Sequence, residues 1–280
     1  MPKYRLLREA LVAQGVVAAA EMEESAPIDR ASLLLAHTPE YLDAVFSGTL
    51  AADQQRRLGF SWSSALLARS RASVFGTVAA ARAALEDGLS GNLAGGTHHA
   101  HADHGTGFCV FNDLAVAARV LQREALIERA LVVDLDVHQG DGTAAIFASD
   151  ESVFTFSMHG ARNFPFRKER SSLDVELADG CEDAEYLAAL ERHLEDVLDR
   201  ARPDIVFFQA GVDPLDGDQL GRLRLSLQGL RRRDRMVARA ARDSGVPLVL
   251  TLGGGYARPI ALSVEAHVAT WEEARSVFGV

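Results

Sequence analysis

Cysteine is scarce in this chain: Cys109 and Cys181 are the only two among 280 residues. Two thiols cannot build a disulfide framework, and so low a count suits a reducing cytosol. Long apolar runs are missing too, so no membrane-spanning helix is expected. Lys3, Arg5 and Arg8 before the run from Ala10 to Ala20 superficially resemble a signal peptide, but Glu9, Gln14, Glu21, Glu23 and Glu24 break the pattern. That segment is expected to form an amphipathic helix, and the protein to be cytoplasmic with no membrane partner. Basic residues are not in excess either. The formal charge of −10 argues against nucleic acid as a direct partner and suits cationic substrates slightly better. No internal repeat, low-complexity tract or Pro- or Ser-rich linker interrupts the chain, so residues 1–280 are expected to form a single domain. The sequence leaves the oligomeric state open.

What is present starts with 48% apolar content, enough for a substantial core. Thr38, Pro39 and Glu40 form a helix start with a hydroxyl cap, a proline at the first position and an acid near the positive dipole end. That helix should reach Phe46 and stop at Gly48. Residues 62–86 read as one long helix, or two joined near Gly76. From residue 130 the pattern alternates: strands near 130–137, 152–158, 204–210 and 247–252, and helices near 183–200, 226–243 and from 258. Apolar runs such as DIVFFQAG and PLVLTLGGG, separated by helices, predict an α/β fold in three layers, a mainly parallel central sheet flanked by helices. Such sheets bind ligands beyond the carboxyl ends of their strands.

Those ends carry the polar residues. LVVDLDVHQGDGT (131–143) places Asp134, Asp136 and His138 at alternate positions, hence on one face of a strand, before a tight turn at Gly140, Asp141 and Gly142. Asp136, His138 and Asp213 provide the two-carboxylate, one-imidazole set that a catalytic zinc needs. Each alone reads equally as a cap or turn residue. Together they are harder to explain without a cation, because converging buried carboxylates repel each other. His98 and His99, in a loop before a helix starting near Asn112 or Asp113, suit a general base for water. The alternative is a surface histidine-rich loop, which His101 and His104 fit better. Asp134 and Asp141 are the carboxylates left to orient the pair. Gly253, Gly254 and Gly255 let backbone approach a ligand closely, and Tyr256 after them is placed to donate to an oxyanion or simply to close the loop. The basic cluster from Arg231 to Arg235 reads as an exposed helix face.

GGTHHA, GFCVFND, DLDVHQGDGT, QAGVDPLDGDQLG and GGGY, in this order, resemble the zinc-dependent histone deacetylase family, whose fold is arginase-like. HTPEYLDAV and HGARNFPFRKERSSLDVEL are closest to its bacterial class IV-like branch, in which Gln139 stands where other branches have a histidine. The resemblance implies that Asp136, His138 and Asp213 hold one Zn2+, with His99 as base and His98 as electrostatic or acid partner. It pairs Asp134 with His98 and Asp141 with His99, and gives Tyr256 the substrate carbonyl. Gly107 and Phe108 would form one wall of an acyl-lysine channel and Phe164 the other. A structural K+ is implied at Asp134, Ser157 and Met158, with the backbone of Asp136 and His138. The family begins with a further strand before the segment matching KYRLLRE, so that strand is expected to be missing. The implied activity is hydrolysis of an acylated lysine in a protein or peptide, or of an acetyl-polyamine. Two rivals stand beside it, an arginase-like dinuclear hydrolase and a catalytically silent acyl-lysine-binding module.

Overall fold

Strands appear where the apolar runs are near-continuous, because both of their faces are covered. In the computed structural model, which describes residues 2–280, β1 (Leu89–Gly91), β2 (Ala130–Asp134), β3 (Val153–Gly160), β4 (Leu173–Leu177), β5 (Ile205–Gln209) and β6 (Leu248–Thr251) form one sheet. Its order is β1-β6-β5-β2-β3-β4, and every pairing is parallel. Alternate residues of the central strands feed two cores. Val206 and Phe208 join one with α1 (Lys3–Ala13), α8 (Asp183–Ala201), α9 (Leu227–Asp243) and α10 (Ala261–Phe278). Ile205 and Phe207 join the other with α2 (Arg30–Leu33), α3 (Pro39–Ser47), α4 (Ala52–Leu58), α5 (Ser64–Asp87), α6 (Asp113–Arg123) and α7 (Asp141–Ile146). The result is the expected three-layer α/β domain.

After β2 the chain adds β3 and β4 on one side, then returns to add β5 and β6 on the other. The order therefore reverses between β2 and β5, where a ligand crevice forms. Asp136 and His138 leave β2 there, and Asp213 leaves β5. No helix among the described residues is long and apolar enough to cross a membrane.

Several boundaries differ from expectation for local reasons. β2 stops at Asp134 rather than residue 137, because the Asp134 carboxylate accepts the Asp136 N–H (3.2 Å) and turns the backbone. The alternation survives the turn: Leu131, Val133, Leu135 and Val137 stay in one core, leaving Asp134, Asp136 and His138 for the opposite side. The tight turn expected at 140–142 is instead the entry to α7. Close packing explains its glycines, since a Cβ at Gly140 would run into the Asp134 carboxylate and one at Gly142 into the Ala100 carbonyl. β1, β4, α2 and α4 are too short or too polar to stand out by periodicity. The long helix α5 passes through Gly76 unbroken. At the N-terminus, α1 buries Leu7 and Leu11 and ends at Ala13, short of the whole apolar stretch.

The exposed helix face expected at Arg231 to Arg235 is corrected most clearly by Arg233, which is fully buried. Its Nη1 donates to the carbonyls of Leu135 (3.2 Å) and Gly211 (2.6 Å), and its Nε to Asp234 (2.7 Å). Thr270 of α10 donates to the same aspartate (2.7 Å). Arg231 and Arg235 pair with Glu273 of α10, so the cluster is largely consumed within the chain. Arg233 ties the exits of β2 and β5 together one residue before Asp136 and two before Asp213. Arg233→Met should destabilise the fold by about 3–5 kcal/mol, because Asp234 would be left buried and unpaired. Denaturant unfolding measures this, and an unchanged midpoint would remove Arg233 from that role.

Candidate metal centre and active site

Asp136, His138 and Asp213 converge where β2 and β5 end, with one potential ligand atom from each lying within 4.8 Å of the others. His138 Nδ1 faces both carboxylates, 2.9 Å from Asp136 Oδ1 and 3.2 Å from Asp213 Oδ2. Neighbouring donors fix the remaining oxygens. Gly254 N–H (2.7 Å) and Gln209 Nε2 (3.1 Å) donate to Asp136 Oδ2, and Val137 N–H (2.9 Å) donates to Asp213 Oδ1. Asp213 Oδ2 is buried with no hydrogen-bond donor. Burial and the Asp136 charge push Asp213 up to about 7. Burial opposes the charge on His138, but the two carboxylates outweigh it and raise that group to about 10. An undonated carboxylate oxygen, a second carboxylate and an imidazole nitrogen aimed at one point fit a divalent cation.

The two histidines from the loop before α6 sit beside this set with ring centroids 4.1 Å apart. His98 Nδ1 is 2.6 Å from Asp134 Oδ2, and His99 Nδ1 is 2.6 Å from Asp141 Oδ1. The pairings are those implied by the sequence resemblance, but the two sites differ electrically. Burial works against charging His98, yet Asp134 and Asp136 overcome it and lift the group to about 9. For His99, burial and the neighbouring His98 charge lower it to about 4 despite Asp141. The carboxylates thus favour the charged form of His98, and burial beside it favours the neutral form of His99. Asn112 and Asp113 hold the loop: Asp113 accepts the Thr97 N–H (2.7 Å), and Asn112 Nδ2 donates to Ala100 O (3.0 Å).

His98, His99, Asp136, His138 and Asp213 line a cavity of about 780 Å3 together with Gly107, Phe108, Phe164, Gly254 and Tyr256. Phe164 stands edge-on to His99 at 5.0 Å between centroids, and Phe108 lies 6.5 Å from the Tyr256 ring. Gly107 and Phe108 both have positive φ (54° and 65°), a strained arrangement for the phenylalanine that turns its ring toward the opening. The Tyr256 backbone N–H donates to Asp218 (2.6 Å), and burial raises its phenol above the ordinary range. Of the residues implied for potassium, Asp134 and Ser157 are register partners across β2 and β3, and Met158 is fully buried next to them. The Ser157 hydroxyl lies 2.9 Å from His159 Nδ1.

Three contributors were not anticipated. Gln209 at the end of β5 reaches Asp136 and also lies 3.3 Å from His98 Nδ1; its only sequence signal is an amide closing an apolar strand. His101, expected on the surface, has Nε2 3.2 Å from Asp141 Oδ2, so that carboxylate bridges two imidazoles. Lys3 of α1 is buried, donates to Gly253 O (3.1 Å) and places its ammonium 5.4 Å from the Tyr256 ring centre. A lysine on an amphipathic helix gives no sign of that destination.

Comparison with known proteins gives a consistent result. The family model described as histone deacetylase domain matches residues 1–271. An uncharacterized protein of Picosynechococcus is 48% identical over 99% of this chain and 93% of its own length. Histone deacetylase 2 of Arabidopsis thaliana is 34% identical over 91% of this chain and 69% of its own. The crystal structure of an HDAC homolog from Aquifex aeolicus superposes with a TM-score of 0.80 at 25% identity, covering 98% of this chain and 81% of that one.

The Gly254 position provides a direct test of the metal set. A Cβ there would run into the Asp213 carboxylate. Gly254→Ala should weaken metal binding by about tenfold to a hundredfold, as disturbance of groups supporting metal ligands commonly does. Competition with a chromogenic chelator reads the affinity, and wild-type retention would show that the glycine has no part in the site.

Proposed function

The chain belongs to the histone deacetylase family, and on that premise we propose that it is a zinc-dependent deacetylase acting on an acylated lysine side chain or an acetyl-polyamine. Family membership makes it a hydrolase of amides in a generally metal-dependent family. The observation that carries the finer reading is a pair of adjacent histidines, each backed by a carboxylate at 2.6 Å, beside three convergent potential ligands. Burial disfavours charge on His99 while Asp134 and Asp136 favour it on His98, which suits His99 to accept a proton and His98 to supply positive charge.

Asp136, His138 and Asp213 would hold the metal. When bound, it supplies Lewis-acid polarisation of the carbonyl and a nucleophile available near pH 7. Phe108 and Phe164 confine the aliphatic part of the substrate. The Tyr256 hydroxyl, kept protonated, donates to the carbonyl oxygen as negative charge develops there. His99 accepts the water proton on Nε2, while Asp141 fixes the proton on Nδ1. His98 supplies a fixed positive charge beside the same atoms. The imidazolium formed at His99 returns its proton to the leaving amine, so no net proton is gained or lost by the protein. A structural potassium around Asp134, Ser157 and Met158 belongs to the same reading, supported by the juxtaposition of the first two. So does the class IV-like branch, on its motifs.

Release of acetate from acetyl-lysine peptides and acetyl-polyamines by zinc-loaded protein tests this function. Tyr256→Phe should reduce turnover by about a hundredfold or more while leaving bound metal unchanged. Near-normal turnover in that variant would sink the role of the tyrosine, and no release by the wild type would sink the activity. Chelation should abolish turnover and zinc restore it, at one metal per chain. Two metals per chain would favour an arginase-like centre, whereas substrate affinity without release would favour a silent binding module.

A further inference from the structure

The mouth of the cavity has a charge opposite to that of the protein. Arg56, Arg57, Arg69, Arg162 and Arg222 all line the cavity and all are exposed, whereas its two lining carboxylates, Asp136 and Asp213, are buried at the floor. Rim carboxylates balance only part of this charge. Asp53 pairs with Arg57, and Asp179 is shared by Arg162 (3.7 Å) and Arg222 (3.2 Å). Among the described residues Arg56 and Arg69 have no ion-pair partner, and the other three guanidiniums share two carboxylates. The Asp218 carboxylate is engaged by the N–H groups of Tyr256, Leu220 and Gly221.

The basic character continues around the opening. Residues 162–170 carry Arg162, Arg167, Lys168 and Arg170 against the single acid Glu169, in a chain whose formal charge is −10. This segment is built rather than loose. Gln139, directly after the ligand His138, donates to Glu169 O (2.7 Å) and accepts the Glu169 N–H (2.9 Å), while Lys168 Nζ donates to the carbonyls of Asn163 and Pro165 (2.6 Å each). The exposed ion pairs do little to hold the arginines back, because such pairs gain about 0–1 kcal/mol and exchange readily for other carboxylates.

Resting on the deacetylase reading, we propose that this enzyme selects acyl-lysines embedded in acidic peptide segments and disfavours cationic amides, acetyl-polyamines and basic tails included. Guanidiniums at the rim take carboxylates in bidentate pairs, while the acylated side chain, which carries no charge, passes between Phe108 and Phe164. A polyamine would bring ammonium groups to the same rim and meet repulsion. The slight preference for cations suggested by total charge is reversed where the substrate enters.

The test compares acetyl-lysine peptides flanked by Asp and Glu, by neutral residues, and by Lys and Arg, alongside an acetyl-polyamine, on the full-length zinc-loaded chain. At low salt, kcat/KM for the acidic peptide should exceed that for the basic one by about tenfold or more, as expected of focused charge at a cleft. The ratio should shrink at high salt and invert in Arg56→Glu/Arg162→Glu. Fluorescence anisotropy of labelled peptides gives the same ranking as affinity, independent of turnover. An equal or inverted ranking in the wild type, or better turnover of the polyamine than of the neutral peptide, would overturn the proposal. If none of these substrates releases acetate, the deacetylase reading fails, and the anisotropy ranking still decides whether the rim prefers acids.

Discussion

Two buried carboxylates pointed at one place constrain everything around them. Asp136 and Asp213 repel each other where both are buried, and neither would stay ionised there unaided. The surroundings are arranged to offset that cost. Backbone N–H groups of Gly254 and Val137 and the amide of Gln209 each take one oxygen, and His138 faces both acids. Behind them the fully buried guanidinium of Arg233 fixes the carbonyls just before each ligand. Movement of either strand exit would break several of these contacts at once. The order reversal between β2 and β5 is thus both a topological crevice and the place where the strongest electrostatic demand is met.

The same demand makes two adjacent histidines unlike. Their sequence context, THHA, is nearly symmetrical, and each has its own aspartate. What separates them is distance from the ligands: His98 Nε2 lies 3.9 Å from Asp136 Oδ1 and gains a second negative neighbour. His99 gains a positive neighbour instead, His98 itself. Burial and the charge favoured on His98 both work against charging His99. Asp141 is shared between His99 and His101, so it is oriented from both sides, although only one of its partners faces the cavity.

Much of this was legible in sequence where a local pattern carried the information. The β2 and β5 runs, the Thr38 cap and the alternation of Asp134, Asp136 and His138 depend on neighbours in the chain, and each is present, with β2 ending three residues earlier than expected. The chemistry of the ligand set followed from residue type at strand ends. Legibility failed where the partner is distant. Arg233 looks like one arginine in a basic helix, and only the packing of α9 on the sheet reveals the carbonyls it serves. His101 was assigned to the surface because nothing nearby in sequence marks Asp141 as its partner. Lys3 lies 250 positions from the carbonyl it holds. Short elements such as β1 and β4 owe their existence to an adjacent strand rather than to their own composition.

Floor and rim present different charges to an incoming molecule, and the difference sets how the cavity is approached. With a neutral His138 and a divalent cation, the two floor carboxylates are balanced, so the floor exerts little net attraction on a distant ion. The rim arginines are exposed and only partly balanced, and their field decays over about 8–10 Å in physiological salt. On the proposed reading, charge at the mouth would govern encounter, whereas neutrality and shape would govern passage between Phe108 and Phe164. On the deacetylase reading, an acylated amine would suit this arrangement because it carries no charge until the amide is cleaved. The amine so freed would become an ammonium enclosed by a positive rim, where repulsion would favour its departure.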